Sequence, residues 1–268
     1  MPLRRGSGQW IAHRLLPQPR RPPAPRPSYC VPVSARQVDA GHAAGGTPSD
    51  RRIRTFHPRR SRTTPSAASA LNRLLPIWGV EPGAVPCEPS DLFEPRLPVV
   101  LEIGSGMGET TLRMAAADPA VGILAVDVHT PGIGALLAGA EREGLANVRV
   151  SVGDALDVMD RLAHGSLVGV RAYFPDPWPK VRHHKRRLVQ PAFVHQAAQL
   201  LAPGGRLHLA TDIADYAEQM LVVCSAEPLL VNTAEGFRQR PAWRPETGYE
   251  RRGLAAGRPS VDLVFERL

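Results

Sequence analysis

The stretch that decides the fold is PVVLEIGSGMGETTLRMAAAD, residues 98–118. Its opening, 98–104, is a short apolar run that stops at a glycine, the pattern of a strand buried on both faces. Residues 109–118 have the composition of a helix. Between them Gly104, Gly106 and Gly108 alternate with Ser105 and Met107. Without a Cβ, such residues let the backbone turn sharply and come close to a ligand. Working outward, the same rhythm recurs. Residues 122–128, 148–154, 167–174 and 206–212 read as strands, and 132–144, 191–202 and 214–226 as helices. LLVNTAE (229–235) and SVDLVFERL (260–268) read as closing strands. This alternation predicts an α/β fold, a parallel sheet covered by helices on both faces. In such sheets ligands bind beyond the carboxyl ends of the strands.

Upstream of this region the composition changes. The 268-residue chain carries a formal charge of +8. Residues 1–62 hold thirteen arginines against Asp39 and Asp50, so this end is strongly basic and the remainder slightly acidic. Residues 1–51 are a Pro/Arg-rich extension without apolar period and are expected to be disordered. Residues 52–97 form a helical lead-in, with SAASALNRLLPIW (66–78) as its helix, and 98–268 form the main domain. Cys30, Cys87 and Cys224 suggest neither a disulfide framework nor a metal-ligand spacing, which fits a reducing cytoplasm. No apolar run approaches the ~20 residues of a membrane span.

Acidic residues mark the ends of successive strands. Glu102 lies just ahead of the glycines, Asp127 ends the second strand and Asp154 the third. Glu109 stands where a dinucleotide fingerprint would have its third glycine. A carboxylate at 102 is a poor neighbour for pyrophosphate but suits a ligand with a cationic amino-acid end. S-adenosylmethionine, with an ammonium, a sulfonium and no phosphate, is such a ligand. Asp127 is spaced to accept ribose hydroxyls, and Asp154 is placed to reach the adenine edge.

The most specific segment is FPDPWPKVRHHKRR, 174–187. Pro175 and Pro177 hold Asp176 in a rigid turn at the end of the fourth strand. Trp178 offers a flat surface for a base. Lys180, Arg182, Lys185, Arg186 and Arg187 read as phosphate contacts. Neither His183 nor His184 has a partner at ligand spacing, so no metal is expected.

Together with LEIGSGMGETT, AVDVHTPGIGALL, HLATDIADYAEQM and TGYERRG, this segment makes residues 52–268 resemble the bacterial tRNA (guanine-N7-)-methyltransferase family. The resemblance implies a class I methyltransferase (Rossmann-like) fold, a seven-stranded, mostly parallel sheet whose last strand is antiparallel. It implies S-adenosylmethionine as methyl donor and 7-methylguanosine in the tRNA variable loop as product. Glu102, Gly104, Gly106, Asp127, Asp154 and Asp176 would line the cofactor and reaction pocket, with Asp176 catalytic. Lys180, Asp212 and the loop Thr247–Glu250, including Tyr249, would hold the tRNA. No separate partner subunit is implied; a monomer or a homodimer fits. Gly248 departs from the family's frequent basic residue and Tyr249 from its frequent Phe. Two rival readings stay open: methyl transfer to another RNA site, and a non-catalytic RNA-binding module.

Overall fold

The computed structural model describes residues 30–31, 53–56, 62–82 and 86–268. Seven strands form one sheet: β1 (Val99–Ile103), β2 (Gly122–Asp127), β3 (Val148–Val152), β4 (Leu167–Tyr173), β5 (Leu201–Thr211), β6 (Leu230–Asn232) and β7 (Val261–Arg267). Their order is β3-β2-β1-β4-β5-β7-β6. The first five run parallel, and β7 is antiparallel to both β5 and β6. This is the mostly parallel, doubly covered class I methyltransferase sheet expected from the sequence. The chain reverses its direction of travel across the sheet between β1 and β4. That is the switch point at which such folds leave a crevice.

The buried strands feed two cores. In β2, Ile123 and Ala125 join one apolar cluster while Leu124 and Val126 join the other, because successive side chains point to opposite faces. The first cluster is completed by helices α1 (Pro65–Trp78), α2 (Glu109–Ala117) and α3 (Thr130–Arg142). The second packs under α4 (Ala155–Met159), α5 (Pro191–Leu200) and α6 (Ala214–Ser225). The lead-in helix α1 is therefore part of a covering layer: Leu71, Leu74 and Leu75 are buried with Ile133, Leu136 and Leu137 of α3.

Four local features differ from the sequence reading. Pro203-Gly204-Gly205 does not end α5, which stops at Leu200; β5 already begins at Leu201. The pairing with β4 jumps from Leu201 to Arg206, so the Pro-Gly-Gly segment is accommodated as an irregularity within the strand. Helix α4 was not foreseen; the Asp154 carboxylate caps it by accepting the Leu156 N–H at 3.0 Å. TGYERRG is not a loop but the start of α7 (Gly248–Ala255). Thr247 and Glu250 close its capping box, a signal that T-x-x-E carries openly. Cys87 is disulfide-bonded, whereas Cys224 is a free, buried thiol. Of the basic extension 1–51, Cys30–Val31 form a two-residue strand against Glu81–Pro82; the rest of that expectation lies outside the described residues.

Candidate active site

A cleft of roughly 820 Å³, including the solvent at its mouth, opens at the carboxyl ends of β1, β2, β3 and β4. Gly104, Gly106, Asp127, Asp154, Asp176 and Tyr249 line it, so six of the residues singled out in the sequence converge. Gly104 and Gly106 have φ of 78° and 58°, and a Cβ on either would meet no protein atom. The loop thus bends in the left-handed region with open space in front. The Asp127 carboxylate shapes this loop, accepting the Gly106 N–H at 2.7 Å and the His129 N–H at 2.8 Å. Helix α3 sits so close that a Cβ on Gly132 would lie 1.9 Å from the Gly106 carbonyl oxygen.

The lining contains three carboxylates and neither lysine nor arginine. Such a cavity repels phosphate and attracts cations. With its glycine turn and the ring faces of Phe56, Tyr173 and Phe174, it fits a cationic, phosphate-free adenosyl compound. Among the described residues no group of His, Cys, Asp or Glu could hold a metal ion.

Glu102 is not part of the lining. Its carboxylate is buried, accepting bonds from Arg171 Nη2 at 2.7 Å and from Thr111 Oγ1 at 3.0 Å. A carboxylate inside the protein needs such a partner, because desolvation is costly. Glu102 therefore ties β1 to β4 and α2 behind the glycine loop.

The turn after β4 is backbone-strained on both sides of Asp176. Phe174 has φ 54° and Trp178 φ 44°, values that bulky residues rarely adopt and that concentrate at functional sites. Asp176 faces the cleft. Trp178 does not offer a surface for a base: it is buried, its indole N–H donates to the Thr55 carbonyl at 3.0 Å, and Arg186 lies 4.9 Å over its ring. Arg187 is not a phosphate contact either. Its buried guanidinium donates to the Pro177 carbonyl, to Gln219 Oε1 and to Asp215 Oδ2 at 2.8, 2.8 and 2.5 Å, stacked on Tyr216. The Arg187 hydrogen bond holds the Asp215 carboxyl below its usual range. Lys180, Arg182 and Lys185 are exposed, on and beside the 3₁₀ turn Val181–Arg186, and lie outside the cleft lining.

Tyr249 projects from the first turn of α7, 6.3 Å from Phe174 and nearly parallel to it. Thr247 and Glu250 are buried beneath, occupied in the capping box. Asp212 pairs with Arg258 at 3.0 Å and presses against Gly253, where a Cβ would be 2.8 Å from its oxygen. Neither Thr247, Glu250 nor Asp212 lines the cleft.

At α7 lies a charged cluster that no local pattern in the sequence announces. Arg244, fully buried, makes paired hydrogen bonds to Asp262 at 2.6 and 2.7 Å and to Glu250 at 2.8 and 3.2 Å. Burial opposes ionisation of both carboxyls. The bonds from His208 and Arg244 to Asp262, and from Arg244 and Ser260 to Glu250, outweigh it and leave both below the usual range. Burial also pushes His208 below its ordinary value. As a neutral ring, His208 donates from Nε2 to Asp262 at 2.7 Å and accepts the Tyr173 hydroxyl proton at Nδ1, 2.9 Å away. Tyr173 in turn lines the cleft. Thr55 and Phe56 were also missed as lining residues. They lie outside regular structure, where no apolar period signals them.

A family model described as "Putative methyltransferase" matches residues 96–263. A tRNA (guanine-N(7)-)-methyltransferase of Streptomyces coelicolor is 56% identical over 83% of this chain and 84% of its own. One from Streptomyces avermitilis is 47% identical over 99% and 90%, and one from Bordetella pertussis 46% over 93% and 98%. Among solved structures, the 16S rRNA methyltransferase KamB is similar with TM-score 0.47 and 17% identity, over 64% of this chain and 88% of that one.

Proposed function

The chain belongs to the tRNA (guanine-N(7)-)-methyltransferase family, and from that premise we propose that it transfers a methyl group from S-adenosylmethionine to N7 of a guanine in the tRNA variable loop, forming 7-methylguanosine. The observation that carries the reading is the cleft itself. It brings a glycine turn and three carboxylates, with neither lysine nor arginine, to the switch point of the sheet. Gly104, Gly106, Asp127 and Asp154 hold the donor, with Glu102 supporting the loop from behind. When bound, S-adenosylmethionine supplies an electrophilic methyl group.

Guanine N7 has an available lone pair and no proton, so its attack requires no general base. The protein acts mainly by alignment, where effective molarities reach ~10⁵–10⁸ M. Asp176, fixed by its strained turn, accepts hydrogen bonds from guanine N1–H and N2–H₂. This pulls electron density toward N7 and excludes adenine, which has no N1–H. Lys180, Arg182 and Lys185 contact tRNA phosphates, and Asp212, Thr247, Tyr249 and Glu250 build the substrate side, Tyr249 by contact and the others by fixing α7. The enzyme works in the cytoplasm as a monomer or homodimer, without a separate partner subunit. Removal of one charged acceptor aimed at the reacting base should cost about 10²-fold in kcat. Asp176→Asn, assayed by single-turnover methyl transfer to unmodified tRNA, tests this; full turnover would overturn the assignment.

A further inference from the structure

One wall of the cleft comes from outside the segment that the family model matches. Thr55 and Phe56 line the cavity with Asp127 and Asp154, although they precede α1 and lie far upstream of β1 in the chain. The contact that places them comes from the turn after β4. Trp178, two residues beyond Asp176, is 4% exposed, and its indole N–H donates to the Thr55 carbonyl at 3.0 Å. His183 packs edge-on against the indole at 5.9 Å, and Arg186 covers it at 4.9 Å. The ring is therefore enclosed by its own motif, and its strained backbone aims the N–H at residue 55 rather than at solvent. On the segment itself, the Arg54 guanidinium lies 5.5 Å over the Phe56 ring.

Thr55 and Phe56 lie outside regular structure, and ordering such backbone costs roughly 1–2 kcal/mol per residue in entropy. An external hydrogen bond from a rigid, buried donor offsets part of that cost. What it brings to the cleft is an aromatic side chain, in a lining that also holds Asp127, Asp154 and Asp176. A ring there adds a flat apolar face for a purine, or a π-face for a cation, to those of Tyr173, Phe174 and Tyr249.

We propose that Thr55–Phe56 is a cofactor-contacting wall of the S-adenosylmethionine site, and that Trp178 is the positioning residue that holds it there. The inference rests on the methyltransferase reading above. It gives the tryptophan of the motif a duty toward the donor rather than toward the base.

The test is titration calorimetry of the full-length protein with S-adenosylmethionine alone, without tRNA or turnover. Phe56→Ala should weaken binding about tenfold, the loss of about one aromatic contact. Trp178→Phe keeps an aromatic ring, smaller than the indole, and removes the donor; it should weaken binding by about three- to tenfold. If Trp178 acts through the segment, the double variant should bind no worse than about twofold below Phe56→Ala, because the two effects share one route. A purely structural tryptophan would give additive losses. Phe56→Ala keeps the inference falsifiable if Trp178→Phe fails to fold. Affinity unchanged in folded Phe56→Ala, or additive losses in the double variant, overturns the proposal while the methyltransferase reading stands. A folded wild type that binds no S-adenosylmethionine overturns both.

Discussion

At the ends of β2 and β3, the Asp127 and Asp154 carboxylates face an open cavity and are engaged by backbone N–H groups. A short distance away, at α7, two other carboxylates are buried and share Arg244, with Arg240 also meeting Glu250 at 3.1 Å. The first set keeps lone pairs and charge turned toward a ligand. The second set spends its charge internally, and its product is a shape: the position of α7, Tyr249 and the Tyr173 hydroxyl. Both contain acids near the active site, and residue type alone does not separate them. Burial and partner do.

The comparison breaks most sharply at Arg244. Arg244→Met leaves Asp262 without its arginine and Glu250 with only the part-exposed Arg240, and removing one partner of a buried pair costs about 3–5 kcal/mol. Urea unfolding should show that loss; a change below about 1 kcal/mol would mean that the cluster does not hold α7. On the cleft side, Asp154→Asn keeps a good cap, so its stability should change by less than about 1 kcal/mol.

The same contrast predicts a pH signature. Asp262 and Glu250 titrate below their usual values of about 3.9 and 4.3. A carboxyl whose folded value is depressed contributes stability that is complete above the unfolded value and is lost as pH falls through the folded one. Thermal midpoints should therefore hold down to about pH 5 and drop below about pH 4. A flat profile through that window would contradict the clamp.

A smaller effect sharpens the cleft side. Asp127→Ala removes a charged acceptor from the glycine loop, a change of about 1.5–3 kcal/mol. It should appear as weaker S-adenosylmethionine binding by calorimetry. Unaltered affinity would place the donor elsewhere. Smallest, Arg182→Glu and Lys185→Glu should each weaken tRNA binding and lower its salt dependence by about one unit of slope, with cofactor binding unchanged. An unaltered slope would remove them from the interface.

What could be read from the sequence follows from how local its causes are. The strand–glycine–helix unit at 98–118 is decided by neighbours in the chain, and its boundaries agree with the structure to within a residue or two. Asp127, Asp154 and Asp176 were legible because they terminate strands, and strand ends meet at one edge of a parallel sheet. Arg187 and Trp178 were misread because a basic or aromatic side chain in a loop looks alike whether it faces water or Tyr216. Glu102 was placed correctly in the chain, but its partner Arg171 comes from the adjacent strand β4. The Arg244–Asp262–His208 cluster joins three distant segments, and no local pattern announces such a contact. Helix α7 was within reach through its T-x-x-E box, but Gly248 and Gly253 masked it.

The most direct test of the central claim is methyl transfer from labelled S-adenosylmethionine to unmodified tRNA, followed by nuclease digestion and nucleoside mass analysis. The account predicts 7-methylguanosine as the labelled nucleoside, and its loss in Asp176→Ala. Folded, cofactor-binding protein that yields a different methylated nucleoside, or none, would contradict it.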